Sequence, residues 1–343
     1  MTAEAFSKTA VAVIGAAGHT GRFVVAELRR RGLVPIAVGR DAARLAAAFP
    51  GGDIVCRQAP LDDADALDRA LAGARAAINC AGPFLDTAGA VTAAALRAQI
   101  HYLDVSAEQP STQATLDECD RAAREAGIVL LPAMGFYGGF ADLLATAALD
   151  DWESAGAIEI MIGLDRWHPT QGTRLTGQRN TAPRMVVANG RLAPLAPAPT
   201  ERHWDFGEPI GRQAMVALPF SEIPLISRHI RTAELHTWLS RVALDDIRDP
   251  ATPPPVAADA DGRSPQHFAV AVSVSRGDAR RAIVARGRDI YAFTAPLVVE
   301  AARHLLAGRF GEAGAHAPGA ILDAKAMLAA LAPEHLMLET QAS

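Results

Sequence analysis

The sequence predicts an α/β chain with a doubly wound parallel sheet, followed by a second α/β domain around a largely antiparallel or mixed sheet. Three observations predict it. Up to Leu131 short apolar runs alternate with amphipathic segments; three glycines follow the first run at three-residue spacing; and beyond about Leu149 strand signals recur with hairpin turns between them. At 343 residues the chain has the length of about two domains. The expected division is 1–135, then 136–295 for substrate binding and dimerisation, then 296–343 for closing helices that could pack back on the first unit.

Val11-Ala12-Val13-Ile14 is too continuously apolar for a half-exposed strand and suits the buried centre of a parallel sheet. Gly15, Gly18 and Gly21 end it and open a helix bearing Phe23, Val24 and Leu28, and Ile36 to Val38 is the next strand. Strand, glycine turn, helix and strand within thirty residues form a dinucleotide-binding unit of Rossmann type. The first glycine permits the tight turn, the second lets backbone N–H groups approach a pyrophosphate, and the third lets helix and strand pack closely. The alternation continues with strands at Ile54–Cys56, Ala76–Asn79, His101–Val105 and Ile128–Leu131, and helices at Asp62–Leu71, Thr87–Ala98 and Gln113–Ala126. In the second half Ala157–Leu164, Met185–Ala188, Arg191–Leu195, Phe268–Ser275 and Arg281–Ala285 read as strands, with turn signals at Ala188–Arg191 and Arg276–Asp278. Pro194–Thr200 and Asp249–Gln266 read as exposed connections, and Ala295–Ala307 and Asp323–Leu331 as helices.

Ligands of such sheets sit beyond the carboxyl ends of the strands, so the turn after each strand is where chemistry is expected. After Val38 comes Gly39-Arg40. A guanidinium there grips a 2′-phosphate through paired charged hydrogen bonds, which favours NADP over NAD; a solvated surface arginine is the alternative. Asp41 is the competing ribose reader, but it stands where a helix cap is expected. The turn Asn79-Cys80-Ala81-Gly82-Pro83-Phe84 falls where the nicotinamide would lie, with Asn79 offering an amide donor and acceptor. Asp104 and Glu108 put two carboxylates at the same rim as groups that could orient a substrate or move a proton, with helix capping by Asp104 or Ser106 as the alternative. Tyr137, in the loop GFYGGFAD, is a proton donor or a packed aromatic. Behind the strand Ala157–Leu164, Arg166 and Arg174 could hold a substrate carboxylate, and His168 is an acid, a base or a plain loop residue.

Composition bounds the rest. Half the residues are apolar and the net charge is −5, with arginines scattered among acids, so neither nucleic acid nor membrane is expected as a partner. MTAEAFSKT lacks the basic start and apolar core of a signal peptide, and Gly127–Leu149, broken by Pro132 and Asp142, is a poor membrane span; a cytoplasmic location is expected. Cys56, Cys80 and Cys119 are widely spaced and read as reduced buried thiols, and no histidine spacing suggests a metal. The tyrosines are Tyr102, Tyr137 and Tyr291, none with lysine four residues on, which excludes the Tyr-x-x-x-Lys mechanism of short-chain dehydrogenases.

On VIGAAGHTG, AVGRD, INCAGPF, HYLDVSAEQ, GFYGGFADLLA, QGTRLT and the late run Gly287–Ala295, the chain resembles the saccharopine dehydrogenase-like oxidoreductases, including the short bacterial branch of trans-acting enoyl reductases. The resemblance implies an NAD(P)-binding Rossmann domain, a mixed α/β substrate domain and hydride transfer to or from a C=N, C=C or C=O bond. It carries the phosphate turn to Gly15, Ala17, Gly18, His19, Thr20 and Gly21, the adenine-ribose reader to Arg40, and the nicotinamide-side turn to Ala81, Gly82 and Pro83. Gly139, Phe140 and Ala141 stand before Asp142 where relatives often have proline and serine, and saccharopine itself is not carried over as substrate. The expected function is an NADP-dependent oxidoreductase acting on a small organic substrate in an interdomain cleft, with a homodimer as an open option; the alternative is a non-catalytic NADP-binding sensor.

Overall fold

The computed structural model describes residues 9–196 and 202–342. Residues 1–8, read above for a leader, and residues 197–200 of the proline-rich connection lie outside the described residues.

The chain opens with β1 (Ala10–Ile14), α1 (His19–Arg30), β2 (Val34–Gly39), α2 (Ala42–Ala48), β3 (Val55–Gln58), α3 (Ala64–Leu71), β4 (Ala76–Asn79) and α4 (Phe84–Ala98). There follow β5 (His101–Asp104), α5 (Gln109–Glu118), α6 (Asp120–Ala126), β6 (Val129–Leu131) and α7 (Gly139–Leu149). β1 and β4 are buried along their whole length, which is why their sequences lack the alternation of a one-sided strand. The segment expected as one helix over Gln113–Ala126 is two, meeting at Cys119.

The second half runs through β7 (Ser154–Leu164), α8 (Gln171–Arg179), β8 (Met185–Ala188), β9 (Arg191–Pro194), β10 (Arg202–Asp205), β11 (Arg212–Ala217), α9 (Glu222–His229), β12 (Arg231–Ser240) and α10 (Arg241–Arg248). It closes with β13 (His267–Arg276), β14 (Ala279–Arg288), α11 (Ile290–Leu306), β15 (Gly314–Ala315), α12 (Pro318–Ile321), α13 (Ala324–Leu331) and β16 (Leu336–Ala342).

The first sheet is parallel throughout, in the order β15-β6-β5-β4-β1-β2-β3. Strand order reverses between β1 and β4, so the turns after these two strands frame the crevice where such sheets bind ligands. The second sheet runs β10-β11-β12-β7-β13-β14-β16, with β8 against β12 and β9 against β8. It is mixed: β7 and β12 are parallel, while β13, β14 and β16 continue antiparallel. The C-terminal region adds a strand to each sheet besides its helices, β15 on β6 and β16 on β14.

One apolar cluster spans both sheets, joining Val13 and Leu131 to Ile160, Val272 and α7, whose faces are buried nearly all round. Phe136, Phe140, Phe268 and Phe293 meet within it and fasten the loop after β6 to β13 and α11. The cysteines differ from expectation: Cys80 and Cys119 are partly covered, but Cys56 is exposed because β3 is the sheet's edge strand. Among the described residues, no helix is long and apolar enough to cross a membrane.

Candidate cofactor and active site

The three glycines after β1 do three separate jobs. Gly15 has φ +75°, a conformation that disfavours any side chain, and a Cβ there would stand 3.0 Å from Ala81, so the turns after β1 and β4 touch across the crevice. Gly21 packs the helix on the strand: its Cβ would lie 2.3 Å from the Gly15 carbonyl and 2.8 Å from Ala16 Cα. Gly18, by contrast, has ordinary backbone angles, and its Cβ would meet only the Gly15 oxygen, at 3.0 Å. Its chain neighbours apart, nothing else among the described residues comes within 4 Å of that Cβ, and no side chain caps the α1 N-terminus it begins. The N–H groups of the first turn are therefore available to an anion, and the cradle fits a pyrophosphate.

Ala17, His19 and Thr20 border this turn with their backbones, but the His19 ring turns away, edge-on to Phe23 and Tyr291, each at 5.3 Å. Its Nε2 is buried without a partner, and burial lowers its proton affinity. Arg40 is exposed at the end of β2, while Asp41 accepts the Arg44 N–H at 3.0 Å as the cap of α2. Asp41 is thus occupied as a cap, whereas Arg40 beside it is exposed.

At the opposite turn, Asn79 is fully buried. Its Oδ1 accepts the Ala81 N–H at 3.0 Å and its Nδ2 donates to Thr87 Oγ1 at 3.2 Å, so it shapes Ala81, Gly82 and the cis Pro83 from behind. Cys80 beside it is partly covered, and burial pushes its thiol up to about 12. A Cβ on Gly82 would reach 2.9 Å from Thr176 Oγ1 of α8. The segment QGTRLT therefore forms a helix laid over the nicotinamide-side turn.

Two carboxylates expected at the rim as proton-moving groups prove to be structural instead. Asp104 is fully buried: Oδ1 accepts the Ser106 and Ala133 N–H groups at 2.9 and 2.8 Å, and Oδ2 accepts the Tyr102 hydroxyl at 2.8 Å. It fastens the end of β5 to the end of β6. Glu108 accepts the Phe84 and Leu85 N–H groups at 2.7 and 2.9 Å and so caps α4. Burial raises the proton affinity of both, yet every oxygen already has a donor. The helix cap is Glu108, and not Asp104 or Ser106 as the capping alternative has it.

Beyond these turns, a buried aromatic group joins the loop after β6 to the second half of the chain. Tyr137 stacks on Trp167 at 5.0 Å and lies 4.4 Å from Phe220. Its hydroxyl is buried with no partner, and burial keeps its proton on. The Arg184 guanidinium sits 5.3 Å over Phe220, and the fully buried Glu222 holds Thr237 Oγ1 at 2.6 Å with its second oxygen unpartnered. Gln109, next to Glu108, bonds both backbone groups of Met185 and the Phe220 carbonyl, stitching this wall to the first sheet. Tyr291 closes the ring: its hydroxyl accepts Trp167 Nε1 at 2.9 Å and the Thr170 N–H at 3.2 Å and lies 2.9 Å from Thr173 Oγ1.

Of the basic residues expected to meet substrate, Arg174 is spent on the carbonyls of Ile247, Asp249 and Thr252, an anchor for the loop after α10. Arg166 is exposed, its Nη1 3.4 Å from Asp246. His168 is a half-buried residue of the loop before α8. Arg184 and Glu222 went unread in the sequence, because they lie in a stretch without apolar periodicity and come to the crevice only through β8 and α9.

Residues 11–131 match the family described as the saccharopine dehydrogenase NADP binding domain. No curated protein matches the chain. Among solved structures, the apo histidine-tagged saccharopine dehydrogenase (L-Glu forming) from Saccharomyces cerevisiae aligns over 97% of this chain and 100% of its own, with a TM-score of 0.67 and 14% identity, so the fold is shared from end to end. Serine dehydrogenase from Escherichia coli is similar over 36% of this chain and 80% of its own, with a TM-score of 0.30 and 15% identity. The UDP-glucose 4-epimerase complex with NAD from Thermus thermophilus aligns over 27% and 36%, with a TM-score of 0.25 and 19% identity. An uncapped glycine cradle at the switch point thus lies within a stretch, residues 11–131, similar to the saccharopine dehydrogenase NADP binding domain, in a chain whose fold is shared with that of a saccharopine dehydrogenase.

Proposed function

We propose that the protein is an NADP-dependent oxidoreductase that passes hydride between the cofactor and a small organic substrate held between the two sheets. The observation that carries the reading is the contact of Gly15 with Ala81, which sets the pyrophosphate cradle and the nicotinamide-side turn side by side at the switch point. Bound NADP supplies the hydride chemistry; the chain supplies position and charge. In this reading the first turn of α1 holds the pyrophosphate, Arg40 the 2′-phosphate, and Ala81 to Pro83 the nicotinamide end. The aromatic wall of Tyr137, Trp167 and Phe220 excludes water from the reacting face. Tyr137 is the acid candidate, because its hydroxyl is the one at the wall with no internal partner. Reduction needs one proton beside the hydride, and a phenol kept neutral by burial can deliver it to the substrate atom next to the one reduced.

The sensor reading draws on one observation: Asp104 and Glu108 are committed to backbone N–H groups. NADPH consumption against panels of imines, enals and keto acids separates the two. Turnover on one class, lost in Tyr137→Phe with cofactor affinity kept, supports the enzyme; tight NADPH binding with no turnover on any panel supports the sensor.

A further inference from the structure

A second cavity, away from the glycine turns, opens where the C-terminal end of α9 meets the starts of β7 and β12 and the β8–β9 hairpin. Its volume is ≈ 700 Å³, the size of a small-molecule site. None of its lining residues is acidic, while Arg228, His229 and Arg231 all border it. The rest of the lining is mixed: Ala155, Ile230 and Leu192, the last 42% exposed, are apolar, and Ser154, Asn189, Ser227 and Thr232 are neutral and polar.

His229 is built into this site from behind. Its Nε2 lies 2.7 Å from Oδ1 of Asp142, which is 0% exposed and whose Oδ2 accepts the Gly319 N–H at 2.7 Å. A carboxylate pinned on both oxygens fixes the plane of the imidazole. The other ring nitrogen, Nδ1, has no hydrogen-bond partner among the described residues and is not among the sealed polar atoms, and His229 lines the cavity. Burial lowers the ring's proton affinity, but the charge and hydrogen bond of Asp142 outweigh it and hold His229 toward its cationic form. Arg228 is already matched by Asp117 at 2.7 Å, whereas the Glu153 carboxylate nearest Arg231 is 3.9 Å away across solvent. The positive charge left for a ligand is that of His229 and Arg231.

We infer that this cavity binds a small amphipathic carboxylate, its head on His229 Nδ1–H and Arg231 and its apolar body against Ala155, Ile230 and Leu192. The inference stands apart from the cofactor reading, since no glycine-turn residue takes part.

Hexanoate and 1-hexanol, which share a tail and differ in charge, are titrated into the full chain by calorimetry, with the His229 ring signals followed by NMR. Saturable hexanoate binding that shifts the His229 signals, with hexanol at least tenfold weaker, is the expected result. His229→Gln should weaken hexanoate at least tenfold. Leu192→Glu, which leaves the Asp142 pair untouched, should abolish binding with the melting temperature unchanged. Absence of saturable hexanoate binding, equal affinity for hexanol, or binding that survives Leu192→Glu would overturn the inference.

Discussion

Gly18 and Gly21 look alike in the sequence and differ in what they do. A side chain at Gly21 collides with three backbone atoms at 2.3 to 2.9 Å, whereas one at Gly18 meets a single backbone oxygen at 3.0 Å. The same distinction separates the carboxylates: Asp104 and Glu108 stand at the expected strand end, but which backbone N–H groups they accept depended on segments distant in sequence, Ala133 and Phe84, and no local pattern reveals that. Arg40 was legible because it follows a strand at a fixed place in the βαβ unit. Arg40→Ala should weaken NADPH by about 1–3 kcal/mol and NADH far less, read by fluorescence titration of both; equal losses would remove the 2′-phosphate assignment. His101 gives a pH prediction. Its Nδ1 accepts the Val129 N–H at 3.1 Å, and burial, with Arg75 nearby, lowers its pKa from 6.5 to about 4. The unfolded chain binds the proton first, so this contribution is complete above pH 6.5 and is lost as pH falls toward 4, by roughly 3 kcal/mol at most. His101→Gln should flatten the drop in urea stability between pH 7 and pH 5; an unchanged drop would show that other groups set it.

Among the elements, α1 and α11 carry the tie between the first βαβ unit and the C-terminal region. Arg31, at the end of α1, bonds Glu27 at 2.5 Å and also Glu300 of α11, and the two acids are 7% and 5% exposed. Removing the bridging guanidinium leaves Glu27 with Arg30 and Glu300 with Arg303, so Arg31→Met should destabilise the protein by about 1.5–3 kcal/mol in denaturant unfolding. A loss under about 1 kcal/mol would mean that Arg30 and Arg303 take over. Elements read correctly were those with one continuous apolar face, such as β1, β4 and β13. Missed ones mix polar and apolar residues on the buried side. β12 is the clearest case: it buries Thr232 and Thr237 beside Leu235 and Leu239, and Thr237 is there to satisfy Glu222. α8 has no buried residue at all, so it offers no periodicity to read; it is held by Thr170, by Arg174 and by the Arg179–Asp86 pair.

Across the whole molecule, the parallel sheet positions two turns and the mixed sheet brings an aromatic wall to face them, with one apolar core continuous through both. The cofactor half of the site was readable because a βαβ unit fixes where its glycines and its arginine fall. The side proposed for the substrate was not, since Arg184, Phe220 and Glu222 reach Tyr137 through a sheet whose strand order no local pattern shows. The placement of the cofactor therefore rests most heavily on the open space before Gly18. Gly18 has backbone angles that any residue adopts, so Gly18→Val should keep the fold, as judged by circular dichroism, while its branched side chain fills the pyrophosphate's place. Titration of NADPH into both proteins is the direct measurement. Saturable one-to-one binding by the wild type, abolished in folded Gly18→Val, is the predicted result; equal binding by both, or none by the wild type, would contradict the placement of the cofactor at this turn.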